Sequence, residues 1–468
     1  MFVNEKLQEF NQYLIGRKVA IIGLGVSNIP LIDYLRDLKA VVTVFDKRTI
    51  DKIDKEVMDK VVNYGMEFSL GSNYLSKLKD FDIIFRSPSC LPTTKELAEE
   101  AARGAIVTTE IEMLMELAPC KIIGVTGSDG KTTTTTLIYE ILKASGHTCH
   151  LGGNIGIPLF TKVNEIMPED IIILELSSFQ LMNMKISPDV AVITNITPNH
   201  LDYHTDYEEY IRAKQCIFDS QDENGTVILN YDNEITNALA DSVKGKVIFF
   251  SSKTKLDNGY IVDEDTVKHC ENKLRKHILN YKDMTLKGRH NLENACAAIA
   301  ATEGLTDIQT AIKVITEFKG VEHRLEFIKE SEKSVKWYND SVSSSPTRTI
   351  AGLKAFDKKL ILIAGGYDKN LDYTPIAEPI LEHVKSLILI GQTKEKIYNA
   401  VLEEMQKQGK DLNIYIAESL AETVQIADEI SVHGDIVLFS PASASFDMFK
   451  NFADRGEQFK NLVNNEVK

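Results

Sequence analysis

A glycine-rich loop between an apolar run and a helix-like segment carries the clearest chemical signal in the chain. Residues 122–125 are apolar and predict a buried strand, residues 126–130 interrupt it, and residues 131–142 repeat apolar side chains at helical spacing. A strand, a glycine loop and a helix N-terminus form a phosphate cradle, because backbone N–H groups point into the loop and the helix dipole favours negative charge. The pattern predicts a nucleotide-phosphate site.

The residues that follow the loop suit the outer phosphates of ATP. Lys131 supplies a point charge, and Thr132 or Thr133 offers a hydroxyl to Mg²⁺. The spacing from Gly127 is G-x-x-G-K-T, which is shorter than G-x-x-x-x-G-K-[ST], because Val125 stands where that motif has its first glycine. We predict ATP binding, and the alternative is an ordinary strand-to-helix turn.

An acidic residue ends a second apolar run, residues 171–174. Glu175 would lie at the carboxyl end of a strand beside the glycine loop, where a carboxylate can hold Mg²⁺ directly or through water. A carboxylate at a strand end usually faces solvent, but the apolar run makes burial of Glu175 costly unless it is paired.

A third apolar run, residues 190–193, leads into polar residues that the same sheet edge would collect, namely Asn195, His200 and Asp202. Further along, Lys214 lies among apolar neighbours in a helix-like segment. Taken alone, Lys214 is typical of a surface lysine whose stem covers apolar side chains.

The N-terminal region resembles a dinucleotide fingerprint. Residues 18–22 predict a strand, Gly23 and Gly25 follow it, and Asp46 ends the next strand about twenty residues later. Asn28 occupies the third glycine position, and two basic residues, 47 and 48, follow the acid. The pattern fits binding of NAD(P), binding of a UDP-sugar, or a Rossmann turn without a ligand.

Composition indicates a cytoplasmic enzyme of two or three domains. The chain has 468 residues, 43% hydrophobic and 26% charged residues and a net charge of −15, which argues against bulk nucleic-acid binding. Its six cysteines are scattered, so disulfides and a zinc site are not expected. No stretch is long and apolar enough for a membrane span, and the N-terminus lacks the apolar core of a signal peptide.

The order of apolar runs and helix-like segments predicts an α/β protein with three domains. Residues 1–117 would form a Rossmann-like domain, residues 118–321 a P-loop domain with a mostly parallel sheet, and residues 322–468 a second Rossmann-like domain. In the last domain we expect strands near residues 334–338, 359–363, 386–390 and 436–439.

Several motifs in a fixed order resemble the ATP-dependent Mur ligase family, whose members add amino acids to the peptidoglycan precursor. The motifs are G-S-D-G-K-T-T, G-G-N-I-G (152–156), E-L-S-S-F-Q (175–180), N-I-T-P-N-H-L-D (195–202), A-K (213–214), G-R-H-N-L-E-N-A (288–295) and H-R-L-E (323–326). They cover essentially the whole chain, and together they are far more specific than any one of them.

The resemblance implies three sets of binding residues. For ATP it implies Gly127, Ser128, Asp129, Gly130, Lys131, Thr132, Thr133, Asn291, Asn294, Arg324 and Asp340. For the UDP-linked substrate it implies Gly25, Val26, Ser27, Asp46, Lys47, Arg48, Ser87, Asn154, Ser177 and Gln180. For D-glutamate it implies Ser344, Lys369, Ser445, Phe446 and Phe452. Helix capping is the alternative for Asn294, and a turn role is the alternative for Asp340.

The resemblance also implies four catalytic residues, Lys131, Glu175, His200 and Lys214, and two Mg²⁺ sites. Thr132 and Glu175 would hold one ion, and His200 with a carbamylated Lys214 would hold the other. Carbamylation converts a repelling ammonium into an anionic oxygen ligand, using CO₂. A carboxylate is a poor electrophile, so ATP would first convert it to an acyl phosphate that an amine then attacks.

Within the family, the motifs G-G-Y-D-K (365–369), S-P-A-S-A-S-F-D-M-F-K-N-F (440–452) and R-G-E-Q-F (455–459) resemble the D-glutamate-adding member, which acts on UDP-N-acetylmuramoyl-L-alanine. One motif departs from the family: D-S-K-A-T-N is D-S-V-S-S-S over 340–345, so Val342 replaces a lysine and Ser344 a threonine. Ser344 can keep the hydroxyl, and Arg348 is a candidate for the missing charge.

We expect a monomer that binds small molecules and neither nucleic acid nor a membrane. Three alternatives remain at this point: the L-alanine-adding ligase of the same family, an NAD(P)-dependent oxidoreductase that uses Gly23, Gly25 and Asp46, and a nucleotide-gated binding module without catalysis.

Overall fold

The computed structural model of the chain describes residues 2–198, 204–286, 288–369 and 371–467. The chain divides into two units, residues 1–318 and 319–468. Within the described residues, the first unit contains two sheets and the second contains one. The predicted three-domain α/β class with mostly parallel sheets is confirmed, whereas the residue ranges of the three domains remain a prediction. None of the helices described is both long and apolar enough to span a bilayer.

The first sheet has five parallel strands in the order β3-β2-β1-β4-β5. Its strands are β1 Lys18–Ile22, β2 Val41–Asp46, β3 Glu67–Leu70, β4 Ile83–Arg86 and β5 Ile106–Thr108. The helices of this region are α1 Glu5–Leu14, α2 Ile29–Asp37, α3 Lys55–Asn63, α4 Lys95–Ala102 and α5 Glu110–Leu117. The inner strands β1 and β4 are almost fully buried, as expected of a parallel sheet covered by helices on both faces.

The second sheet has nine strands in the order β14-β13-β12-β11-β10-β9-β6-β8-β7. They are β6 Lys121–Thr126, β7 Cys149–Gly153, β8 Ile171–Glu175, β9 Val190–Ile193, β10 Thr226–Asn230, β11 Lys246–Ser251, β12 Gly259–Asp263, β13 Thr266–Glu271 and β14 Leu274–Asn280. The last three strands form antiparallel pairs, and the other pairs are parallel. The helices are α6 Lys131–Ala144, α7 Ser178–Leu181, α8 Tyr207–Gln215, α9 Glu234–Leu239, α10 His290–Ala301 and α11 Ile308–Glu317.

The strand order of the second sheet places a ligand site. After β6 the chain forms β7 and β8 on one side of it and then crosses to β9 on its other side, so the strand order reverses beside β6. Ligands bind outside the carboxyl ends of strands at such a switch point. The glycine loop follows β6 directly and leads into α6, so the fold positions it at this edge.

The first and second sheets share a hydrophobic core. Phe160 follows β7 and makes edge-on ring contacts with Phe10 and Tyr34 and a tilted contact with Phe85. Aromatic pairs in these geometries add about 0.5–1.5 kcal/mol beyond the burial of apolar area. Residues of both sheets of the first unit therefore pack in one apolar cluster.

The third sheet forms the second unit, in the order β15-β16-β20-β17-β18-β19. Its strands are β15 Glu326–Glu330, β16 Lys336–Asn339, β17 Leu360–Gly365, β18 Val384–Ile390, β19 Asn413–Ile416 and β20 Ile436–Phe439. Only the β15–β16 pair among these is antiparallel. The helices are α12 Pro346–Leu353, α13 Thr374–His383, α14 Lys394–Gln408, α15 Leu420–Ile430 and α16 Phe452–Glu466. Leu362 and Ile363 point to opposite faces of β17, and each face has its own apolar core.

Candidate active site

The glycine loop has the backbone geometry that its sequence requires. Gly127 has φ +146° and Gly130 has φ +80°, which are conformations that side chains with a Cβ rarely adopt. A Cβ on Gly127 would overlap Thr194 Oγ1, and one on Gly130 would overlap Asn294 Oδ1. Both glycines are therefore needed for the loop to pass so close to its neighbours.

Lys131 begins α6 and folds back over the loop. Its Nζ donates to the carbonyl oxygens of Gly127 and Ser128, each at 2.9 Å. The ammonium thus lies above the loop, where outer phosphates would bind. Thr132 and Thr133 follow in the first turn of α6.

Lys214 is buried below the same loop. Its side chain is 2% exposed, its Nζ donates to Gly127 O at 2.7 Å, and the ammonium lies 4.6 Å from the ring centroid of Tyr210. Burial, with a smaller contribution from Lys131, lowers the pKa of Lys214 well below its usual value. The surface position that periodicity alone suggests for Lys214 is therefore wrong.

Glu175 lies at the carboxyl end of β8, paired in register with Val125 and Gly153. It is 1% exposed, and its Oε1 accepts a hydrogen bond from Asn154 Nδ2 at 2.7 Å. Within the described residues, its Oε2 is buried and has no hydrogen-bond partner. Burial of a carboxylate oxygen without a hydrogen bond costs free energy of folding, and a cation bound to that oxygen offsets the cost.

Glu175 thus fits the predicted Mg²⁺ site. Among the residues that the structure describes, no group of three or more His, Cys, Asp or Glu side chains could hold a metal. An ion here would therefore use Glu175, the hydroxyl of Thr132 and oxygens of the substrates, which is typical of Mg²⁺ with nucleotide phosphates. His200, the imidazole ligand predicted for a second Mg²⁺, lies outside the described residues.

Asn195, which the sequence placed at this sheet edge without assigning it a binding role, holds the glycine loop. Its Oδ1 accepts from Asp129 N at 2.9 Å and its Nδ2 donates to Asp129 O at 3.2 Å, while its own carbonyl accepts from Ser128 N at 2.9 Å. The side chain of Ser128 contacts Tyr210 Oη at 2.9 Å. The polar segment that follows β9 contained the signal for Asn195.

Helix α10 brings two asparagines to the loop. Asn294 Oδ1 accepts from Thr134 Oγ1 at 3.3 Å, and Asn294 Nδ2 donates to Asn291 Oδ1 at 3.0 Å. Helix α10 begins at His290, so Asn294 lies in its second turn and does not cap it. Both side chains are buried beside the glycine loop, where the resemblance expects the adenine side of ATP.

In the fingerprint region of the first sheet, the carboxylate of Asp46 is bound by neighbouring groups of the same chain. Asp46 is 3% exposed, accepts from Leu24 N at 2.8 Å and pairs with Arg48 at 2.7 Å. Arg48 and the loop N–H groups hold the pKa of Asp46 below its usual value despite burial. Asn28, in the third glycine position, donates to the carbonyls of Ile22 and Gly23 at 3.0 Å each.

A cleft of about 360 Å³ opens between the fingerprint loop and the segment that follows β4. The predicted substrate residues Gly25, Val26, Ser27 and Ser87 line it, together with Asn28, Pro88, Ser89 and Phe179. Lys47, next to the buried Asp46, is exposed. Ser177 and Gln180, also predicted to bind this substrate, form a reciprocal capping box at the start of α7.

In the second unit, Arg455 joins the segments predicted to bind the amino acid. It is 1% exposed, its Nη2 donates to Ser341 O at 2.8 Å, and its Nη1 donates to Ala444 O at 2.8 Å and Ser443 O at 3.1 Å. Tyr367 N also donates to Ala444 O, at 2.9 Å. The loop after β16, the end of β17 and the turn after β20 therefore meet around one guanidinium.

The predicted amino-acid residues lie on these segments. Lys369 is exposed, and its ammonium lies 5.8 Å from the ring centroid of Phe446, which is 59% exposed. Ser445 is buried, Ser344 is half-buried, and Phe452 begins α16 with an exposed ring.

The two residues of this unit that were predicted to bind ATP, Asp340 and Arg324, differ in how exposed they are. Asp340 is 2% exposed and accepts from Leu325 N at 3.2 Å and Ser440 Oγ at 2.7 Å, and burial raises its pKa. Arg324 is half-buried in the turn before β15. The structure thus gives Asp340 an internal role in holding its loop.

Three family models match the chain. They are a Mur ligase MurD-like N-terminal domain over residues 17–109, a Mur ligase middle domain over residues 125–302, and a Mur ligase glutamate ligase domain over residues 323–443.

The sequence is similar to enzymes named UDP-N-acetylmuramoylalanine–D-glutamate ligase. The protein of Clostridium tetani is 46% identical over 99% of this chain and 100% of its own length, and that of Acetivibrio thermocellus is 47% identical over 99% of each. Solved structures share the fold: UDP-N-acetylmuramate-alanine ligase of Thermotoga maritima has a TM-score of 0.56 at 17% identity, covering 96% of this chain and 99% of that one. MurF of Acinetobacter baumannii has a TM-score of 0.57 at 16% identity, covering 83% and 92%.

Proposed function

The chain belongs to the Mur ligase family, and we propose that it is the ATP-dependent ligase that joins D-glutamate to UDP-N-acetylmuramoyl-L-alanine in peptidoglycan precursor synthesis. Full-length identity of 46–47% to ligases of that name supports the choice of substrates. One observation in the molecule carries the chemistry. Lys131 and Lys214 donate to the Gly127 carbonyl at 2.9 and 2.7 Å, beside Glu175, whose Oε2 has no hydrogen-bond partner in the part of the chain that the structure describes.

The reaction has two steps that balance in charge and atoms. A carboxylate oxygen of UDP-N-acetylmuramoyl-L-alanine attacks the γ-phosphorus of ATP, and ADP leaves. The amine of D-glutamate then attacks the carbonyl carbon of the acyl phosphate, loses a proton, and phosphate leaves. Because two anions must approach in the first step, electrostatic stabilisation is the main task of the site.

The chain's own residues provide that stabilisation. The loop N–H groups and the N-terminus of α6 bind the phosphates. When ATP binds, Lys131 Nζ donates to phosphate oxygens in place of the carbonyl oxygens of Gly127 and Ser128. Asn154 orients Glu175 through the 2.7 Å hydrogen bond, and Asn195 fixes Asp129 of the loop. Mur ligases use ATP with Mg²⁺, and Mg²⁺ supplies Lewis-acid stabilisation of phosphoryl charge.

We further propose two Mg²⁺ sites. Glu175 and Thr132 would hold the first ion, and His200 with carbamylated Lys214 would hold the second. The neutral amine of Lys214 attacks the carbon of CO₂ and loses a proton, which yields a carbamate anion. Burial supports this step because it favours the neutral amine.

The carbamate can be detected without activity. Wild-type protein equilibrated with ¹³C-labelled bicarbonate should show a carbonyl signal of a carbamate by NMR, and Lys214→Arg should not. The same signal in both proteins would place the carbamate elsewhere. No signal in the wild type would remove the carbamate from the proposal and leave Lys214 as a buried base.

The alternatives fit the molecule less well. An NAD(P)-dependent oxidoreductase needs a carboxylate for a ribose hydroxyl, whereas Asp46 is buried and bound by Leu24 and Arg48. Assignment as the L-alanine-adding ligase is less well supported, because the full-length relatives are named as D-glutamate ligases. A binding module without catalysis leaves the burial of Lys214 and Glu175 unexplained.

The proposal includes the organisation of the chain. Residues 1–117 would bind the UDP-linked substrate, residues 118–321 ATP, and residues 322–468 the amino acid, in a cytoplasmic monomer that binds no nucleic acid. Gel filtration with light scattering tests the monomer.

Mass spectrometry of the product tests the proposed function. The protein is incubated with ATP, Mg²⁺, UDP-N-acetylmuramoyl-L-alanine and D-glutamate. We expect the UDP-linked substrate to gain one glutamyl residue while ATP becomes ADP. An unchanged substrate with wild-type protein would contradict the proposal.

A further inference from the structure

A cavity of about 230 Å³ lies between the antiparallel end of the second sheet and the helices α10 and α11. Strands β12, β13 and β14 form one wall, and the C-terminal part of α10 with the first half of α11 forms the other. All of its lining residues belong to the first unit, and none of them lies in the glycine loop or in the cleft of the first sheet. The sites assigned so far to ATP, metal and substrates therefore leave this cavity without a role.

Three polar side chains form a row across the sheet wall of the cavity. Tyr260 of β12 pairs in register with His269 of β13, and His269 pairs with Lys276 of β14. Residues directly opposite each other on antiparallel strands have neighbouring side chains on the same face. The rings of Tyr260 and His269 are stacked, with centroids 4.9 Å apart. The row thus runs from a buried phenol to an exposed ammonium at the rim.

The hydroxyl of Tyr260 is a buried donor that has no partner in the described part of the chain. Tyr260 is 4% exposed and lines the cavity. Burial, with a smaller contribution from the negative charge of Glu303, raises the pKa of Tyr260, so the hydroxyl keeps its proton. A buried tyrosine hydroxyl usually has a hydrogen-bond partner. This one is therefore suited to an acceptor atom on a ligand.

The rim of the cavity carries a positive charge that no described residue neutralises. Lys276 is exposed and forms no ion pair with the residues that the structure describes. Glu303, the acidic residue of the lining, pairs instead with Lys246 at 3.0 Å. In a chain of net charge −15, an unpaired ammonium on the same face as a buried donor favours an anion locally.

The remaining lining is apolar. Ile299 of α10 and Ala311 of α11 are at most 3% exposed, and Ile308 and Ile312 of α11 are half-buried. Ile278 adds to this surface from β14, where the register of the β13–β14 pair shifts and leaves Ile278 as an extra residue. A dry cavity of about 150 Å³ holds benzene. A cavity of about 230 Å³ therefore admits one ring with one small polar group.

We propose that this cavity binds a small organic acid that has one ring and one carboxylate, with the ring on the isoleucines and the carboxylate between Tyr260 Oη and Lys276 Nζ. A neutral ring compound would leave the ammonium unpaired, and a purely polar anion would leave the isoleucines in contact with water. One ammonium and one neutral hydroxyl match a single negative charge, which favours a carboxylate over a phosphate dianion. The inference goes beyond the proposed function and does not rest on it.

Titration of the protein with benzoate, followed by NMR of the ligand in the absence of ATP and substrates, tests the proposal. We expect saturable binding with a Kd roughly tenfold or more below those for benzamide, which has the ring without the charge, and for acetate, which has the charge without the ring. Tyr260→Phe removes only the hydroxyl and should raise the Kd for benzoate about tenfold. Its melting temperature should not fall, because that hydroxyl bonds no described group.

A second pair of variants isolates the charge at the rim. Lys276→Ala should raise the Kd for benzoate about tenfold and leave the Kd for benzamide unchanged. Lys282→Ala is the matched control, since it removes one exposed positive charge from the segment after β14 that does not line the cavity. We expect the Kd for benzoate to be unchanged in this control.

Three results would overturn the proposal. The first is a lack of saturable benzoate binding to the wild type, and the second is equal affinity for benzoate and benzamide. The third is a Kd for benzoate that neither Tyr260→Phe nor Lys276→Ala changes, because the binding would then lie elsewhere. None of these results bears on the ligase reaction, since each is measured without its substrates.

Discussion

Asn154 donates to one oxygen of Glu175 at 2.7 Å and leaves the other oxygen buried without a hydrogen-bond partner among the described residues. An exposed amide thus orients a buried carboxylate at the carboxyl end of β8. Burial of a carboxylate oxygen without a hydrogen bond costs free energy of folding when no cation is bound, and a bound cation offsets that cost. The same carboxylate therefore affects both the stability of the protein and its binding of a metal ion.

Glu175→Gln should separate these two roles. The amide can still accept from Asn154, so the melting temperature should not fall, and removal of the buried charge can raise it. Loss of the anionic ligand should lower kcat by about 100-fold or more and weaken the dependence on Mg²⁺. Phosphate release across a Mg²⁺ titration measures both, with the exposed Glu169→Gln as control. Wild-type kcat in Glu175→Gln would remove the carboxylate from the metal site.

Asn195 should be a positioning residue for ATP. Asn195→Ala removes two hydrogen bonds to Asp129, and at about 1 kcal/mol each their loss should raise the KM for ATP about tenfold or more. Asn195→Asp keeps the acceptor but places a negative charge beside the phosphates, so the rise should be larger. The KM for D-glutamate should not change. Asn63→Ala, at an exposed site on α3, serves as control, and equal effects of both variants would contradict the role.

Arg455 should be the most sensitive residue of the second unit. Arg455→Met removes hydrogen bonds to three carbonyls and a hydroxyl, and only the Ala444 carbonyl keeps another donor in the described part of the chain, Tyr367 N, so we expect a loss of about 3 kcal/mol or more in the free energy of unfolding. Arg455→Lys keeps the charge but not the planar fork, and should lose less. Thermal unfolding compares the two. Equal melting temperatures for all three proteins would show that the guanidinium does not hold these segments together.

Glu110 should make stability depend on pH. Burial raises its pKa from 4.5 to about 7. Between these values the unfolded chain is ionised and the folded chain is protonated, so stability falls as pH rises through this window, by about 3 kcal/mol in total. Glu110→Gln can still accept from Phe160 N, and it lacks this titration. The variant should therefore gain stability relative to wild type from pH 4.5 to 7, as measured by urea unfolding. A difference that is constant with pH would contradict the raised pKa.

Apolar runs that form inner parallel strands were predictable from the sequence. The strands expected at 18–22, 190–193 and 436–439 have those bounds in the structure, because buried parallel strands are continuous apolar segments. Strands β11–β14 were not predicted. Their outer members expose polar side chains, and the β13–β14 turn uses Asn272 and Lys273 at positive φ instead of an asparagine–glycine pair.

The phosphate loop was predictable in the same way, whereas the surroundings of its polar residues were not. Helical periodicity assigns Lys214 to the surface, because it cannot show that this face of α8 packs under the loop. Likewise, the sequence places Arg48 two residues after Asp46 without showing that their side chains form an ion pair. Contacts between residues far apart in the chain, such as Arg455 with Ser341, depend on the tertiary fold.

The most direct test of the central claim is phosphate release from ATP and Mg²⁺ in the presence of UDP-N-acetylmuramoyl-L-alanine and each member of a panel of amino acids. We predict release that requires D-glutamate and is lost in Lys131→Ala. Release that requires another amino acid, or no release with any of them, would contradict the assignment of D-glutamate as the substrate.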